Sequence, residues 1–361
     1  MPRKSILLFS CEPGGAEILI PVIRLLHAEP AYRVVVLSYG LGAQRFAARG
    51  VDFIEIPPVQ KNDNAVLDSH RPDFLITSAT SLPERDMSEK NLWRNARARG
   101  VPSLALVDQW QNYAVRFSGP GEGERLAYLP DFINCIDEVG AVEMIREGFQ
   151  PGMLVRFGHP SLSQLRRQAR NLQREEIRRR LGIPATQQVA LFVSEAIREH
   201  YGRSRGYDQY DSLGLFLDLV ADSGTGIKPV IKLHPKDEAS LFDPMLRSRN
   251  LQPLMIANEL SSLECIALAD RVYGMTSIML IEAYLLGKPV LSLQPGLAVE
   301  DPLVLSRHGM VPRLGTPEQA MTAATETPPL LSLKVEFEID RFLQFIRDVV
   351  TNAKGKSHYA A

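Results

Sequence analysis

The chain has 361 residues, which exceeds the size of most single cores, so the sequence predicts two domains. Its 41 basic and 42 acidic side chains give a formal net charge of −1, which argues against a nucleic-acid-binding protein because such proteins carry a basic excess. The three cysteines stand far apart in apolar runs and predict neither a disulfide framework nor a metal site. No apolar run reaches membrane-spanning length, and the first apolar run is too short for a signal peptide, so a cytoplasmic protein is expected.

The N-terminal half alternates between strand and helix patterns. Its apolar, strand-like segments are residues 5–10, 33–38, 52–56, 73–77 and 102–107. This alternation predicts a parallel sheet with helices on both faces. The glycine-containing turn after the first strand lacks the G-x-G-x-x-G spacing and therefore does not indicate dinucleotide binding. Glu12 in this turn, and Glu17 in the helix after it, are candidates for a catalytic acid or base.

An unusual group of polar and aromatic residues follows the fifth strand. Loops at the carboxyl end of a rigid sheet concentrate function. Carbohydrate sites pair aromatic faces, here Trp110 and Tyr113, with polar hydrogen bonds, here from Asp108 and Asn112. Asp108 is the first candidate for a general base that takes a proton from an acceptor hydroxyl. The alternative is a loop folded onto its own small core, with Trp110 buried.

A basic segment, residues 161–181, follows the first half and contains seven arginines. The favoured interpretation is a solvated helix within a linker, residues 161–186. The sharper interpretation is a patch over residues 163–181 that attracts anionic lipid or a polyanionic acceptor, which would give peripheral membrane contact.

The second half carries the most informative motifs, each at the end of a predicted strand. One strand bears Lys232 and ends in His234-Pro235. Another ends in Gly274-Met275-Thr276-Ser277, and a helix follows it. Thr276 or Ser277 can cap that helix, whose N-terminal amide groups suit a phosphate. A third strand ends at Ser194, and Arg198 in the next loop suits an anion because its guanidinium binds oxygens in pairs.

These motifs resemble the donor half of nucleotide-sugar enzymes with the GT-B fold. His234-Pro235 resembles the His-Pro motif of bacterial sialyl- and polysialyltransferases, of capsule polymerases and of UDP-N-acetylglucosamine 2-epimerases. Gly274–Ser277, Glu282 and the sequence Leu-Gly-Lys-Pro-Val at 286–290 resemble a signature of the epimerases and related transferases. One departure is that Ile278 and Met279 replace the usual pair of glycines, which affects how a diphosphate is held or favours a monophosphate.

The resemblance implies an α/β fold of the GT-B type, in which two Rossmann-like, doubly wound parallel-sheet domains face each other across a cleft. The expected domains are residues 1–160 for the acceptor and 187–330 for the nucleotide-sugar donor, followed by a C-terminal helix and tail over 331–361. The resemblance further implies that the first turn, with Gly14 and Gly15, meets the acceptor or the sugar. It also implies that the His-Pro motif contacts the phosphate and Glu282 the ribose, with no metal and no other cofactor.

The leading functional hypothesis is therefore a glycosyltransferase that moves a sugar from a nucleotide-sugar donor to an acceptor hydroxyl, in polysaccharide or glycoconjugate biosynthesis. The first alternative is a UDP-sugar 2-epimerase, which needs paired acids near C2 of the sugar instead of an acceptor groove. The second alternative is a nucleotide-sugar-binding protein without catalysis.

Overall fold

The computed structural model describes residues 3–222, 226–249, 251–319 and 333–351. Its contacts divide the chain into two compact units. The first unit comprises the described residues of Met1–Gln164 and Leu333–Ala361, and the second comprises those of Leu165–Ser332. The segment predicted as a linker thus groups with the second unit from Leu165 onward. The predicted boundary at residue 330 and the tail 352–361 lie outside the described residues.

The first unit is built on a parallel sheet. Its strands are β1 (Lys4–Ser10), β2 (Tyr32–Ser38), β3 (Ile54–Glu55), β4 (Phe74–Thr77), β5 (Ser103–Leu106), β6 (Phe132–Asn134) and β7 (Leu154–Val155). Its helices are α1 (Pro13–His27), α2 (Gly40–Ala48), α3 (Ala65–His70), α4 (Ser88–Ala98), α5 (Tyr113–Arg116), α6 (Glu138–Arg146) and, last in the chain, α15 (Ile339–Thr351), with 3₁₀ turns at Pro151–Met153 and Leu162–Gln164.

The strand order of this sheet is β3-β2-β1-β4-β5-β6-β7. Strand β1 is central, and its apolar run Ile6 to Phe9 is fully buried because helices cover both faces of the sheet. The order reverses direction between β1 and β4, where the loops beyond the two strands separate. This arrangement confirms the predicted parallel, Rossmann-like architecture.

Helix α15 completes the core of the first unit. Phe342 and Phe345 are fully buried, and the Phe345 ring lies 5.0 Å from the ring of Phe132 and 5.2 Å from that of Phe157. The segment before the helix passes so close to Gly158 that only a glycine fits, because a Cβ there would lie 1.9 Å from the carbonyl oxygen of Glu336. The first unit therefore combines two distant parts of the chain.

The second unit is a second parallel sheet. Its strands are β8 (Gln188–Val193), β9 (Ile227–Lys232), β10 (Leu254–Ile256), β11 (Arg271–Gly274), β12 (Val290–Leu293) and β13 (Arg313–Leu314). Its helices are α7 (Leu165–Ala169), α8 (Arg174–Arg180), α9 (Ile197–Tyr201), α10 (Gln209–Asp222), α11 (Asp243–Ser248), α12 (Ser262–Leu268), α13 (Ile278–Leu285) and α14 (Val304–Arg307), with a 3₁₀ turn at Ala239–Phe242. Its core is formed by Phe192, Phe216, Ile231 and Leu293, all fully buried, together with the residues around them.

The prediction of one continuous solvated helix in the basic segment is wrong. The segment consists of the short helices α7 and α8 with an irregular stretch between them. Arg178 is 4% exposed, and its guanidinium lies 2.8 Å from the carboxylate of Asp270, which also pairs with Arg174. Asp270 engages both of these arginines and offsets one of their two positive charges, so any attraction to anionic lipid rests mainly on the others. Among the described helices, none is both long and apolar enough to cross a membrane.

Candidate functional site

The sheet of the second unit also reverses its order at one point. The order is β10-β9-β8-β11-β12-β13, and the reversal falls between β8 and β11. Val193 and Gly274 are paired at the carboxyl ends of these two strands. Open α/β sheets bind ligands outside the carboxyl ends of the strands at such a point. The predicted residues on the two following loops therefore share this edge of the sheet.

The turn between β11 and α13 has the predicted construction. A Cβ at Gly274 would lie 2.7 Å from the Leu280 side chain and 3.1 Å from the Val193 carbonyl, so a larger residue does not fit between the helix and β8. Ser277 is the N-cap of α13, and its hydroxyl accepts a hydrogen bond of 3.2 Å from the amide of Met279. The Met275 side chain is fully buried, so this residue reaches the edge only through its backbone.

Glu195, which follows β8, is bound to this turn. One of its carboxylate oxygens accepts a hydrogen bond of 2.7 Å from the amide of Thr276, and the other accepts one of 2.9 Å from the Thr276 hydroxyl. Burial raises the pKa of Glu195, against the hydrogen bonds from Thr276 and the positive charge of Arg205, which lower it. The carboxylate of Glu195 thus occupies the amide of Thr276, the residue that precedes the N-cap of α13.

Arg205, in the loop after α9, lies beside Thr276 and brings a positive charge to this turn. Its side chain is almost fully buried, with the residue 5% exposed, and its guanidinium lies 3.7 Å from the centroid of the Tyr201 ring. One guanidinium nitrogen donates a hydrogen bond of 3.3 Å to the Thr276 hydroxyl. Among the described residues, no carboxylate forms an ion pair with Arg205. Glu195 and Arg205 influence each other electrostatically without forming an ion pair, and a buried charge that is not directly paired is costly, so this position favours an anion.

His234 lies at the end of β9, beside β8, and is partly buried. Its Nδ1 accepts a hydrogen bond of 3.2 Å from the amide of Lys236, so in the neutral ring the proton is on Nε2. Desolvation lowers the pKa of His234, while the charge of Asp237 opposes this shift. The neutral ring therefore presents an N–H donor on Nε2, which suits a phosphate oxygen. Pro235 follows it at the exposed start of the turn.

The other basic residues predicted at this edge already have partners. Lys232 donates a hydrogen bond to the carbonyl of Ala257. Arg198 donates through Nε to the buried carboxylate of Asp208, at 2.8 Å, and lies over the ring of Tyr210. The side chains of Lys232 and Arg198 are therefore already engaged before a ligand binds. Arg205, in contrast, has no carboxylate partner in the described part of the chain.

The corresponding edge of the first unit brings Gly14 and Asp108 together. A Cβ at Gly14 would lie 2.7 Å from Asp108 Oδ2, so the glycine allows the turn after β1 to approach the loop after β5. The Asp108 carboxylate lies 2.8 Å from the guanidinium of Arg116, which is 5% exposed. His159 is fully enclosed and lies 3.0 Å through Nε2 from the Asp108 carbonyl, which fixes the backbone of this loop.

A buried acid lies between the ends of β1 and β4, and no sequence motif singles it out. The carboxylate of Glu89, at the start of α4, accepts hydrogen bonds from the Ser78 hydroxyl and the Thr80 amide. The Ser78 hydroxyl also lies 2.8 Å from that of Ser10. Burial raises the pKa of Glu89 to about 7, against these hydrogen bonds and the neighbouring charge of Lys90, which lower it.

Glu89→Gln is expected to change how the stability of the first unit depends on pH. Because the pKa of Glu89 is about 7 in the folded chain and 4.5 for an ordinary glutamate, the folded chain binds the extra proton between these two pH values. The free energy of unfolding therefore falls as the pH rises through this window and levels off above it, by about 3 kcal/mol for this group. In Glu89→Gln, this contribution to the decrease in the free energy of unfolding with rising pH is absent.

Urea unfolding at about pH 5 and about pH 8 measures the difference. The exposed Glu84 provides the matched control, and Glu84→Gln retains the wild-type pH dependence. Equal pH profiles for the wild type and Glu89→Gln would show that this carboxyl group titrates as an ordinary one.

The structure was compared with known proteins. It resembles the UDP-GlcNAc 2-epimerase from Neisseria meningitidis bound to UDP-GlcNAc, at 14% identity over 96% of this chain and 100% of that chain, with a TM-score of 0.66. It also resembles S. aureus MnaA in complex with UDP (14%, 96% and 97%, TM-score 0.68) and the UDP-GlcNAc 2-epimerase from Methanocaldococcus jannaschii (12%, 96% and 99%, TM-score 0.64). The chain has the fold of UDP-GlcNAc 2-epimerases. No protein-family model and no curated protein sequence matches it.

The epimerase fold confirms the predicted α/β class with two parallel-sheet, Rossmann-like units. Two of these three structures are named as UDP-GlcNAc 2-epimerases, which is the activity of the alternative hypothesis and not of the leading one.

The structure corrects the prediction that Trp110 and Tyr113 present their rings to a sugar. Trp110 is 1% exposed, and its indole N–H donates a hydrogen bond of 2.8 Å to Asp137. Tyr113 is 2% exposed, and its hydroxyl donates to Glu143. Asn112 connects the two in a left-handed backbone conformation, with a φ of 58°. The loop is folded onto its own core, as in the alternative interpretation, because both rings are more stable when packed inside.

The acids of the first turn separate into two groups. Glu17 lies on the outer surface of α1, where its carboxylate pairs with Arg49 at 2.8 Å and Arg45 at 3.3 Å, and this position contradicts a catalytic role. Glu12 is the N-cap residue of α1 and stays at the edge of the sheet. Gly15 is required for packing, because a Cβ there would lie 2.2 Å from the Ser78 hydroxyl.

The roles of Glu195, Arg205 and Glu89 could not be recognised in the sequence. Glu195 and Arg205 belong to a long polar loop in which many residues are charged, and composition does not distinguish the two that turn inward. Glu89 stands beside Lys90 at the start of a helix, which is the ordinary pattern of an exposed first turn. Only the long-range contacts identify these residues.

Proposed function

We propose that this chain binds a UDP-sugar through its second unit and inverts the configuration of the sugar at C2. The observation that carries the proposal is the set of hydrogen-bond donors at the edge where β8 and β11 diverge, on a fold whose solved examples include epimerases bound to UDP-GlcNAc. The donors are the Arg205 guanidinium, the amide and hydroxyl of Thr276, and Nε2 of His234.

The diphosphate is the part of the substrate that these donors suit. Arg205 supplies a buried positive charge, and the N-terminus of α13 adds the positive end of a helix dipole. His234 extends the donors to the end of β9. These groups balance the phosphate charge in place of a metal ion, while Glu282, partly buried in the second turn of α13, is the proposed partner of the ribose. Ser194 remains a proposed contact through its position at the end of β8.

Asp108 is the proposed base. Inversion at C2 requires that a proton leaves one face of this carbon while its electron pair forms a C1–C2 double bond and the UDP leaves C1. Re-addition of the UDP at C1 then accompanies the return of a proton to the opposite face of C2, so a carboxylate is needed beside the sugar. Arg116 holds the Asp108 carboxylate at 2.8 Å, and Gly14 allows the turn after β1 to approach this carboxylate closely. Glu12, at the same edge of the first unit, is the proposed second acid.

The decisive test is incubation of the protein with UDP-GlcNAc in D₂O without any acceptor, followed by proton NMR. Loss of the C2 proton signal and appearance of the epimer are expected, because the returning proton comes from solvent. Asp108→Asn is expected to lower the rate at least about 100-fold while UDP affinity in calorimetry changes little. The matched control is Asp52→Asn, at an exposed position of the first unit.

Other outcomes identify the competing functions. An unchanged sugar that is transferred once an acceptor is supplied would establish a glycosyltransferase. Binding of UDP-GlcNAc without any turnover in the wild type, with or without acceptors, would indicate a protein that only binds nucleotide sugars.

A further inference from the structure

Glu195 lies at the edge of the second unit to which the proposed function assigns the phosphate. It follows β8 directly, at the reversal of strand order, and its two carboxylate oxygens accept hydrogen bonds from the amide and the hydroxyl of Thr276. Two oxygens on one carbon, held by an amide and a hydroxyl in front of a helix, imitate two oxygens of a phosphate. A phosphate and this carboxylate cannot accept the same hydrogen bonds at once.

The helix does not need Glu195 as a cap. Ser277 already caps α13 through its hydrogen bond with the amide of Met279, at 3.2 Å. The carboxylate is also held at a cost, because burial raises the pKa of Glu195. A neutral side chain would satisfy the Thr276 amide without desolvating a charge. The negative charge at this point is therefore better explained by ligand binding than by helix stability.

The surroundings of Glu195 suit a more highly charged anion. Arg205 is 5% exposed and donates to the same Thr276 hydroxyl, yet it forms no ion pair with Glu195 or with any other described carboxylate. The charge of the buried guanidinium is thus only partly balanced. A phosphate at this place brings more negative charge and more acceptor oxygens than one carboxylate. Replacement of the Glu195 carboxylate by a phosphate would neutralise the positive charge of Arg205 more completely.

We propose that Glu195 is an internal competitor of the nucleotide phosphate: it holds the phosphate position in the free chain, and a ligand binds there only by displacing it. This inference rests on the proposed function, since it assumes that the phosphate binds before α13. It makes Glu195 a residue that sets the affinity for phosphorylated ligands. The affinity for a nucleoside without phosphate is independent of it.

The test compares UDP with uridine in titration calorimetry. Glu195→Gln keeps the size and shape of the side chain and removes the charge, and we expect it to bind UDP about tenfold or more tightly than the wild type. Glu195→Ala, which removes the whole carboxylate, is expected to change UDP affinity in the same direction. Uridine affinity is expected to be the same in all proteins. Glu238→Gln, an exposed position near the His-Pro turn, controls for the change in net charge.

The outcomes separate this inference from the proposed function. If the wild type binds UDP and neither Glu195 variant binds it more tightly than Glu238→Gln does, Glu195 is a structural residue and the inference is wrong. An equal gain for uridine would also overturn it, because the effect would not depend on phosphate. If neither variant folds, the carboxylate is needed for the structure and the inference fails as well. If no protein, wild type included, binds UDP, the proposed function itself fails.

Discussion

Arg205→Met is expected to weaken UDP binding about 100-fold, because it removes the buried positive charge beside Thr276. A hydrogen bond between charged partners is stronger than one between neutral groups, and this one lies away from bulk water. Methionine retains much of the side-chain volume over the Tyr201 ring, so we expect the fold to persist. Titration calorimetry with UDP measures the loss, and the melting temperature checks the fold.

The neighbouring Arg203 provides the matched control. Its side chain is 62% exposed and pairs with Asp208 and Asp211. Arg203→Met therefore removes the same charge from the same loop and is expected to leave UDP affinity within about twofold of the wild type, since exposed charges interact weakly through water. Equal losses in the two variants would mean that net charge, and not the position of Arg205, governs binding. An unchanged affinity in a folded Arg205→Met would place the phosphate elsewhere.

Gly158→Ala is expected to have the largest effect on stability, with a loss of about 3 kcal/mol or more in the first unit. Gly158 has a φ of +85°, which an alanine adopts only with strain. A Cβ would also lie 1.9 Å from the Glu336 carbonyl oxygen and 3.0 Å from the Phe337 backbone. Relief of this overlap requires that the segment leading to α15 moves away, which would also break the hydrogen bond from the Glu338 amide to the Phe157 carbonyl.

Gly152→Ala is the control for this change. No heavy atom lies within 4 Å of a Cβ at Gly152, and its backbone is not in the left-handed region. The control is expected to change the free energy of unfolding by less than about 1 kcal/mol. Chemical unfolding followed by the fluorescence of Trp93 and Trp110, which both lie in the first unit, reports on this unit. A wild-type transition in Gly158→Ala would contradict the close approach of the two segments.

The sequence predicted the fold because the relevant signals are local. Alternating apolar strands and helices determine a parallel sheet, and a parallel sheet places the ends of all its strands along one edge. For this reason the motifs around His234 and Thr276, separated by about forty residues, were expected together, and they do follow β9 and β11, the two strands on either side of β8. The cap at Ser277 and the glycine at 274 follow from the same local rules.

The sequence could not predict which charged side chains turn inward. Asp108 and Trp110 belong to one polar and aromatic loop, yet the carboxylate stays at the edge while the ring is buried on Asp137. Glu195 and Arg205 acquire their importance only through Thr276, far along the chain. The prediction for the basic segment was wrong for the same reason. Arg178 pairs with Asp270, which is distant in the sequence, and helical periodicity gives no information on such a contact.

The place of α15 determines the order in which the chain can be completed during synthesis. The N-terminal sheet emerges first from the ribosome, but its aromatic core still lacks Phe342 and Phe345 at that stage. The whole of the second unit is translated before these residues appear. The nascent protein therefore carries an incompletely covered apolar core while the second unit is translated, which makes early release or truncation a cause of aggregation.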